Sequence, residues 1–431
     1  MGKVMVIRCT IRFLVLCSLL LSMAACNEVR GPETIHRVAP ITQYNSSSLG
    51  SQLHAINLPA DGKVLFVMGQ DTETLSAFRK EVLMRDPTFP VPGGVTLYTN
   101  ISHNYKFGSL PSLTADVDWG AGNNNFLRTL KEFPGAALVV GLDITGGNGE
   151  CKSITTNAIA GIVADGVSQD LIKHYRVEVD KLIQFLKDTN RPVFLRIGYE
   201  FDGPWNCYDA SSYKKAYRYI KQRSVEMNAG KIATVWQSAT WLRDKAPYIV
   251  TDENHLEKFY PGDDVVDWVG FSKFYNLHYK EHQWVCDELI PGELAPHVSP
   301  NSQHDRVLNF ARAHKKPVMI AEAAPTAYSN SELTSSCIST NRPTPISAEA
   351  IWKSWYQEWF DHIEANKDII RAVAYINADW HSQSMWHCEP KALVGSANCK
   401  QGYWGDSRIQ ANPIILEKFK QQLLKNTFVK P

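Results

Sequence analysis

Two glutamates carry the chemistry open to this chain. Glu200 stands in Arg191-Pro-Val-Phe-Leu-Arg-Ile-Gly-Tyr-Glu-Phe-Asp-Gly-Pro-Trp205, and Glu322 in Lys316-Pro-Val-Met-Ile-Ala-Glu-Ala-Ala-Pro325. Each ends an apolar, strand-like run. A carboxylate there is costly unless the strand opens onto a polar face. Two such carboxyls with aromatics nearby suit cleavage of a glycosidic bond. One protonates the leaving oxygen, and the other attacks or stabilises the anomeric carbon. No C-x-x-C pair or Cys/His cluster has zinc-like spacing, so neither a metal nor another cofactor is expected.

The elements that must position these groups are legible as alternation. Apolar runs at 64–68, 95–100, 136–142, 193–198, 232–237, 265–271, 318–321 and 372–376 are rich in Val, Ile, Leu and Phe. They do not alternate with polar residues, so they read as strands buried on both faces of a parallel sheet. Helical patterns lie between them. In 168–188, Ile172, Tyr175, Val179, Leu182, Ile183 and Leu186 recur at helical spacing. Asn412 and Pro413 read as the N-cap and first residue of a last helix. Eight strands alternating with helices predict an α/β fold, a (β/α)₈ TIM barrel forming one catalytic domain over 56–431. A doubly wound open sheet is the alternative, but no glycine-rich phosphate turn follows the first strand. In a barrel, Glu200 follows strand four and Glu322 ends strand seven, both at the C-terminal face where active sites form.

Several residues are candidates for holding a sugar. Arg196, four residues before Glu200, either bonds the second glutamate or satisfies buried carbonyls. Tyr199, Trp205, Trp236, Tyr275 and Trp380 are candidate substrate contacts. For Trp236 and Trp241 a place in the core is the favoured reading, whereas Trp205 and Trp380 lie just past strands, where an indole can stack on the apolar face of a sugar ring. Asp71, Asn100, Asp143 and Asn377 sit at strand ends, where strand-to-helix turns also favour Asp and Asn.

These segments resemble the retaining (β/α)₈ glycoside hydrolases with glutamates on strands four and seven, most closely family 26, the β-mannanases and their relatives. That family's Arg-Pro-x-His-Glu-Met-Asn-Gly-x-Trp-like segment corresponds to 196–205. Its Tyr-Pro-Gly-Asp-x-x-Val-Asp-Trp-x-Gly segment matches Tyr260-Pro-Gly-Asp-Asp-Val-Val-Asp-Trp-Val-Gly270. The resemblance implies that Glu200 is the general acid/base and Glu322 the nucleophile, and that the protein is a β-glycanase of mannanase-like type; long βα loops with tryptophans suggest an open cleft and hence endo action. Trp236 matches a strand-five tryptophan, and Tyr275 or Phe274 stands near the family's tyrosine. Two departures bear on specificity: Tyr199 replaces the family's histidine, and Lys273 is unexpected. The reading from another class is a non-catalytic glycan-binding surface lipoprotein on the same scaffold.

The N-terminal residues read as an address. Lys3, Arg8 and Arg12 precede an apolar core over 13–23, and Met23-Ala-Ala-Cys26 resembles the lipobox of bacterial lipoproteins. Residues 1–25 are then a signal peptide, Cys26 the lipidated residue and 26–55 a polar tether. Asn27 in place of aspartate points to the outer membrane. Without residues 1–25 the formal charge falls from +1 to −2, a balance that argues against a nucleic-acid partner. The expected partners are a polysaccharide or oligosaccharide substrate and, through the lipid alone, a membrane; the chain is expected to act as a monomer. Six further cysteines in an exported chain read as disulfides. The most local pairing is Cys151–Cys207, Cys286–Cys337 and Cys388–Cys399.

Overall fold

The computed structural model describes residues 52–429 apart from 103–107, 146–157, 204, 207, 241–243, 246–247, 250–253, 275–278, 281–282, 285–299 and 339. Eight parallel strands close into a barrel in sequential order. They are β1 (Leu65–Gly69), β2 (Gly94–Asn100), β3 (Ala137–Asp143), β4 (Val193–Ile197), β5 (Ile232–Ser238), β6 (Trp268–Lys273), β7 (Val318–Ala323) and β8 (Ile370–Ile376). The expected strands match these within a few residues, because continuous apolar runs are what a doubly covered parallel strand requires. Helices follow the strands, among them Gln169–Asp188 capped by Ser168 and Pro413–Leu423 capped by Asn412. The six apolar residues picked out in the first of these helices are all buried.

Alternation along each strand divides two cores. Phe194, Ala233, Val235 and Trp268 point into the barrel. Ile232, Trp236, Val269 and Phe271 point out toward the helices. The lower barrel is filled by apolar side chains, with the ring of Trp268 packed edge-on against Phe194 at 5.2 Å. The segment entering the barrel closes its floor. Trp268 Nε1 donates to Ile56 O at 2.8 Å, and Asn57 Nδ2 donates to Val193 O and Lys231 O. Arg371, fully buried, donates to the carbonyls of Pro59 and Lys63. Leu53, at the end of the stretch read as a tether, is buried in the main core, so ordered packing begins before residue 56.

One irregularity decides where Glu322 points. On β7, Met319 faces inward and Ile320 outward. Simple alternation would then turn Ala321 inward and Glu322 outward. The pairing with β6 shifts at this point, so that Phe271 opposes Ile320 while the next residue, Ser272, opposes Glu322. The pairing with β8 takes up the same extra residue between Ile320 and Ala323. A bulge re-aims the side chain that follows it, and here it brings Glu322 into the barrel mouth.

The floor yields a direct test. Trp268→Ala should lower the unfolding free energy by about 3–5 kcal/mol through lost burial and the cavity left behind. Denaturant titration measures this, and a loss below about 1 kcal/mol would show that the floor does not depend on the indole.

Candidate active site

The upper barrel interior changes from apolar to polar. Arg196 on β4, Gln237 on β5, Ser272 on β6, Glu322 on β7 and Thr96 on β2 converge there, and every one of these side chains is buried. Arg196 Nη1 donates to Glu322 Oε1 and, at 3.1 Å, to Gln237 Oε1. Its Nη2 donates to Thr96 Oγ1 at 3.3 Å. Of the two roles open to Arg196, the structure shows the contact with the second glutamate. The guanidinium lies over the rings of Tyr98 at 4.9 Å and Tyr199 at 5.2 Å. Gly141 on β3 makes room for it, because a Cβ there would meet Tyr98 at 2.4 Å and Arg196 Nη2 at 2.8 Å.

The hydrogen-bond directions run one way. Arg196 occupies Gln237 Oε1, which turns Gln237 Nε2 toward Ser272 Oγ at 3.0 Å and Glu322 Oε1 at 3.4 Å. Ser272 Oγ thus receives one hydrogen and gives its own to Glu200 Oε1 at 2.7 Å. A proton carried by Glu200 then sits on Oε2.

Glu200 is 8% exposed and adopts a left-handed backbone, φ +53°. That conformation is disfavoured for a side chain with Cβ and persists where the surroundings impose it. The surrounding bonds are present. Phe201 N donates to Gln237 O, Gly203 N to Glu200 O, and Asn206 Nδ2 to the carbonyls of Tyr199 and Glu200. Asp202 pins the turn to β5, accepting from Ser238 Oγ and Ala239 N at 2.6 Å and meeting His255 Nε2 at 3.0 Å. Burial first, and the charge of Glu322 second, push the Glu200 carboxyl up to about 8, with the Ser272 bond opposing them. The site can therefore present a neutral acid at neutral pH beside a carboxylate held by arginine.

The other candidates divide. Tyr199 lies in the site, edge-on to Tyr98 at 5.3 Å, and burial raises its hydroxyl well above the usual tyrosine range. Trp205, 38% exposed, stands past β4, with its indole close against Gly203. Trp236 is corrected. It is fully buried between barrel and helices, stacked on Phe201 at 4.4 Å with Nε1 donating to Phe259 O. Strand alternation gives the mouth to its neighbour Gln237 and turns Trp236 outward. Trp380 is 1% exposed, packed behind Trp386 and Trp404 rather than presented as a platform. Tyr275 and Trp241 lie outside the described residues.

Asp71 caps the helix Thr72–Phe78, and burial raises its carboxyl to about 6. Asp143 bonds Thr145, and Asn377 bonds Ile409 and Gln410, so both serve turns. Asn100 is buried, and its Oδ1 has no partner among the described residues. Lys273 is buried on the outer side of β6 beside His304, away from the mouth, and burial lowers its amine to about 8. The Cys388–Cys399 disulfide is present in the loop after β8. Cys337 is disulfide-bonded. Cys286, Cys151, Cys207 and Cys26 lie outside the described residues. Among the described residues no group of three or more His, Cys, Asp or Glu is arranged to hold a metal ion, and no helix is long and apolar enough to cross a membrane.

Sequence reasoning missed Gln237, Ser272, Thr96 and Asp202. For the first two the signal was present: each is a polar residue ending an apolar run, two residues beyond an inward-facing one.

Two substitutions should separate the influences on Glu200. Glu322→Gln removes the neighbouring charge and should lower the Glu200 pKa from about 8; Ser272→Ala removes the opposing bond and should raise it. Carbon NMR of labelled glutamate reads both, and shifts of the same sign would contradict this assignment of causes.

The comparisons with known proteins agree with this geometry. Residues 124–301 match the model of glycosyl hydrolase family 26. A β-1,3-xylanase TXYA of Vibrio sp. is 32% identical over 385 residues, covering 88% of this chain and 69% of that protein. A β-1,3-xylanase of Alcaligenes sp. is 32% identical over 383 residues, covering 87% and 67%. The solved structure of GH26C from Muricauda sp. shares the fold, with a TM-score of 0.51 at 13% identity over 89% of this chain and 90% of that one. With its closed barrel and its relatives in agreement, the chain belongs to glycosyl hydrolase family 26 and is a glycoside hydrolase.

Proposed function

We propose that this protein is a retaining endo-β-1,3-xylanase in which Glu322 is the nucleophile and Glu200 the general acid/base. The observation that carries the mechanism is the pairing of a buried, proton-holding Glu200 with Glu322 fixed by Arg196 and Gln237. In the first step a Glu322 carboxylate oxygen bonds to the anomeric carbon as the glycosidic C–O bond breaks. Glu200 gives its proton to the departing oxygen. In the second step Glu200 takes a proton from water, whose oxygen bonds to the anomeric carbon and releases Glu322. Arg196 and Gln237 hold Glu322 at the angle this requires, and holding it in advance removes orientational cost from the barrier.

The substrate reading rests on the two β-1,3-xylanases, each alike over nearly the whole chain, and it replaces the mannanase-like expectation. Tyr199, where mannanase-like segments carry histidine, is consistent with a changed specificity. Endo action is supported by aromatics past both β4 and β8, which suit a cleft open at both ends: exposed Trp205 on one side, and on the other Trp386, backed by the buried Trp404. The address segment supports placement in the outer membrane through a lipidated Cys26. A barrel so tethered meets a polymer too large to cross the membrane. Stable attachment then requires more than one acyl chain.

Glu322→Ala should lose activity by at least about a thousandfold on β-1,3-xylan, and azide should restore part of it by replacing the nucleophile. Full activity in a folded Glu322→Ala protein would remove the proposal's core, whereas wild-type turnover of β-1,4-mannan but not β-1,3-xylan would overturn only the substrate. Cys26→Ala should release an active protein from the membrane fraction. Wild-type protein recovered unacylated and free would refute the anchor.

A further inference from the structure

Four buried polar atoms without a hydrogen-bond partner among the described residues lie on two touching loops at one side of the barrel mouth. They are the indole Nε1 atoms of Trp119, Trp380 and Trp386 and Oε1 of Gln383. Trp119 belongs to the chain between β2 and β3, and the other three follow β8. Met385 N donates to Gly120 O at 2.8 Å, and a Cβ on Gly120 would meet atoms of Ser384 and Met385 at 3.2 Å. Both loops close over Asp71 at the end of β1. Gln383 Nε2 donates to Asp71 Oδ2 at 3.3 Å, and a Cβ on Gly122 would meet the Asp71 carboxyl at 2.6 Å. Asp71 is itself fixed by Thr74 N and Thr74 Oγ1. Gln383 is only 7% exposed. Its amide is oriented by Asp71, which takes the nitrogen and leaves the carbonyl oxygen over.

The wall is backed as well as closed. The Trp386 ring lies 4.1 Å from Trp404 and 5.5 Å from Trp380, centroid to centroid. The Cys388–Cys399 bond staples the same loop two residues beyond Trp386. An indole N–H only donates, and an amide oxygen only accepts. A buried group with no partner costs about 1–3 kcal/mol, and native proteins leave few such groups without a reason. Trp380 is packed behind Trp386 and Trp404, but a sugar ring supplies what the other three residues lack: hydroxyl oxygens for the indoles of Trp119 and Trp386, a hydroxyl hydrogen for the Gln383 amide oxygen, and an apolar face for the rings.

We propose that Trp119, Gln383 and Trp386 form a glycone-side sugar subsite that holds a non-reacting pentose ring of the substrate chain through its hydroxyl groups. The proposal rests on the glycan-cleaving reading of the same cleft. Its side follows from that reading. The departing part of the chain lies toward Glu200 on β4, so the retained part runs the opposite way, toward the loops above β8, β1 and β2.

The test uses Glu322→Ala protein, which binds without turnover, and calorimetry with β-1,3-xylotetraose, β-1,4-mannotetraose and β-1,4-glucotetraose. Trp119→Phe and Trp386→Phe each keep a ring and delete an N–H. Together they should weaken tetrasaccharide binding about tenfold; in the active enzyme they should raise KM on the polysaccharide about tenfold with kcat within twofold. Trp119→Phe alone, a single change on a half-exposed residue, should give a smaller loss in the same direction. Unchanged affinity, or a fall in kcat with KM unaltered, would overturn the subsite while leaving the xylanase reading standing. Binding of mannotetraose or glucotetraose instead, weakened by the same variants, would overturn both the pentose assignment of the subsite and the xylan reading. Binding of none of the three would overturn both.

Discussion

A fully buried arginine governs the upper barrel. Arg196 lies in the low-dielectric interior with Glu322 as its salt-bridge partner. Removing one partner of such a pair leaves an uncompensated charge and typically costs about 3–5 kcal/mol. The pair therefore requires everything that seats it: the missing side chain at Gly141, the tyrosines over the guanidinium, and the bulge on β7 that swings Glu322 inward. Because Arg196 also fixes the amide of Gln237, it sets the direction of the hydrogen bonds through Ser272 to Glu200. One cation thus orders both carboxyls, although it bonds only one of them.

Glu200 is the counterpart of that order. It is buried beside a second carboxylate without a cation of its own in its hydrogen-bond shell, so its proton is retained to about pH 8. The two glutamates are identical in the sequence and opposite in surroundings. Environments that push two like groups apart are what acid and nucleophile roles need.

The barrel was legible because its strands must be continuously apolar and its helices amphipathic. Both glutamates were legible because a charge ending such a run demands an explanation. Trp236 misled because its family motif was read as a site motif, when alternation assigns the mouth to Gln237. The segment most like the family, 260–270, belongs to the support of the barrel. Trp268 fills the floor, and Asp267 binds Thr234 and Lys221. These contacts hold the N-terminal face of the barrel, away from the mouth. The β7 bulge and the contacts among the loops after β2 and β8 were illegible, since they depend on register and on residues far apart in the chain. The buried state of Trp380 was hidden for the same reason: only the folded loop brings Trp386 and Trp404 over it.

The central claim is that Glu322 bonds to the sugar while Glu200 carries the proton, and the stereochemistry of the first product tests it most directly. Proton NMR can follow the anomeric signals of β-1,3-xylan oligosaccharides during the first minutes of hydrolysis, before mutarotation blurs them. Double displacement at this pair predicts that the β-anomer appears first and the α-anomer only later, by mutarotation. Initial release of the α-anomer would mean a single displacement by water and would contradict the account.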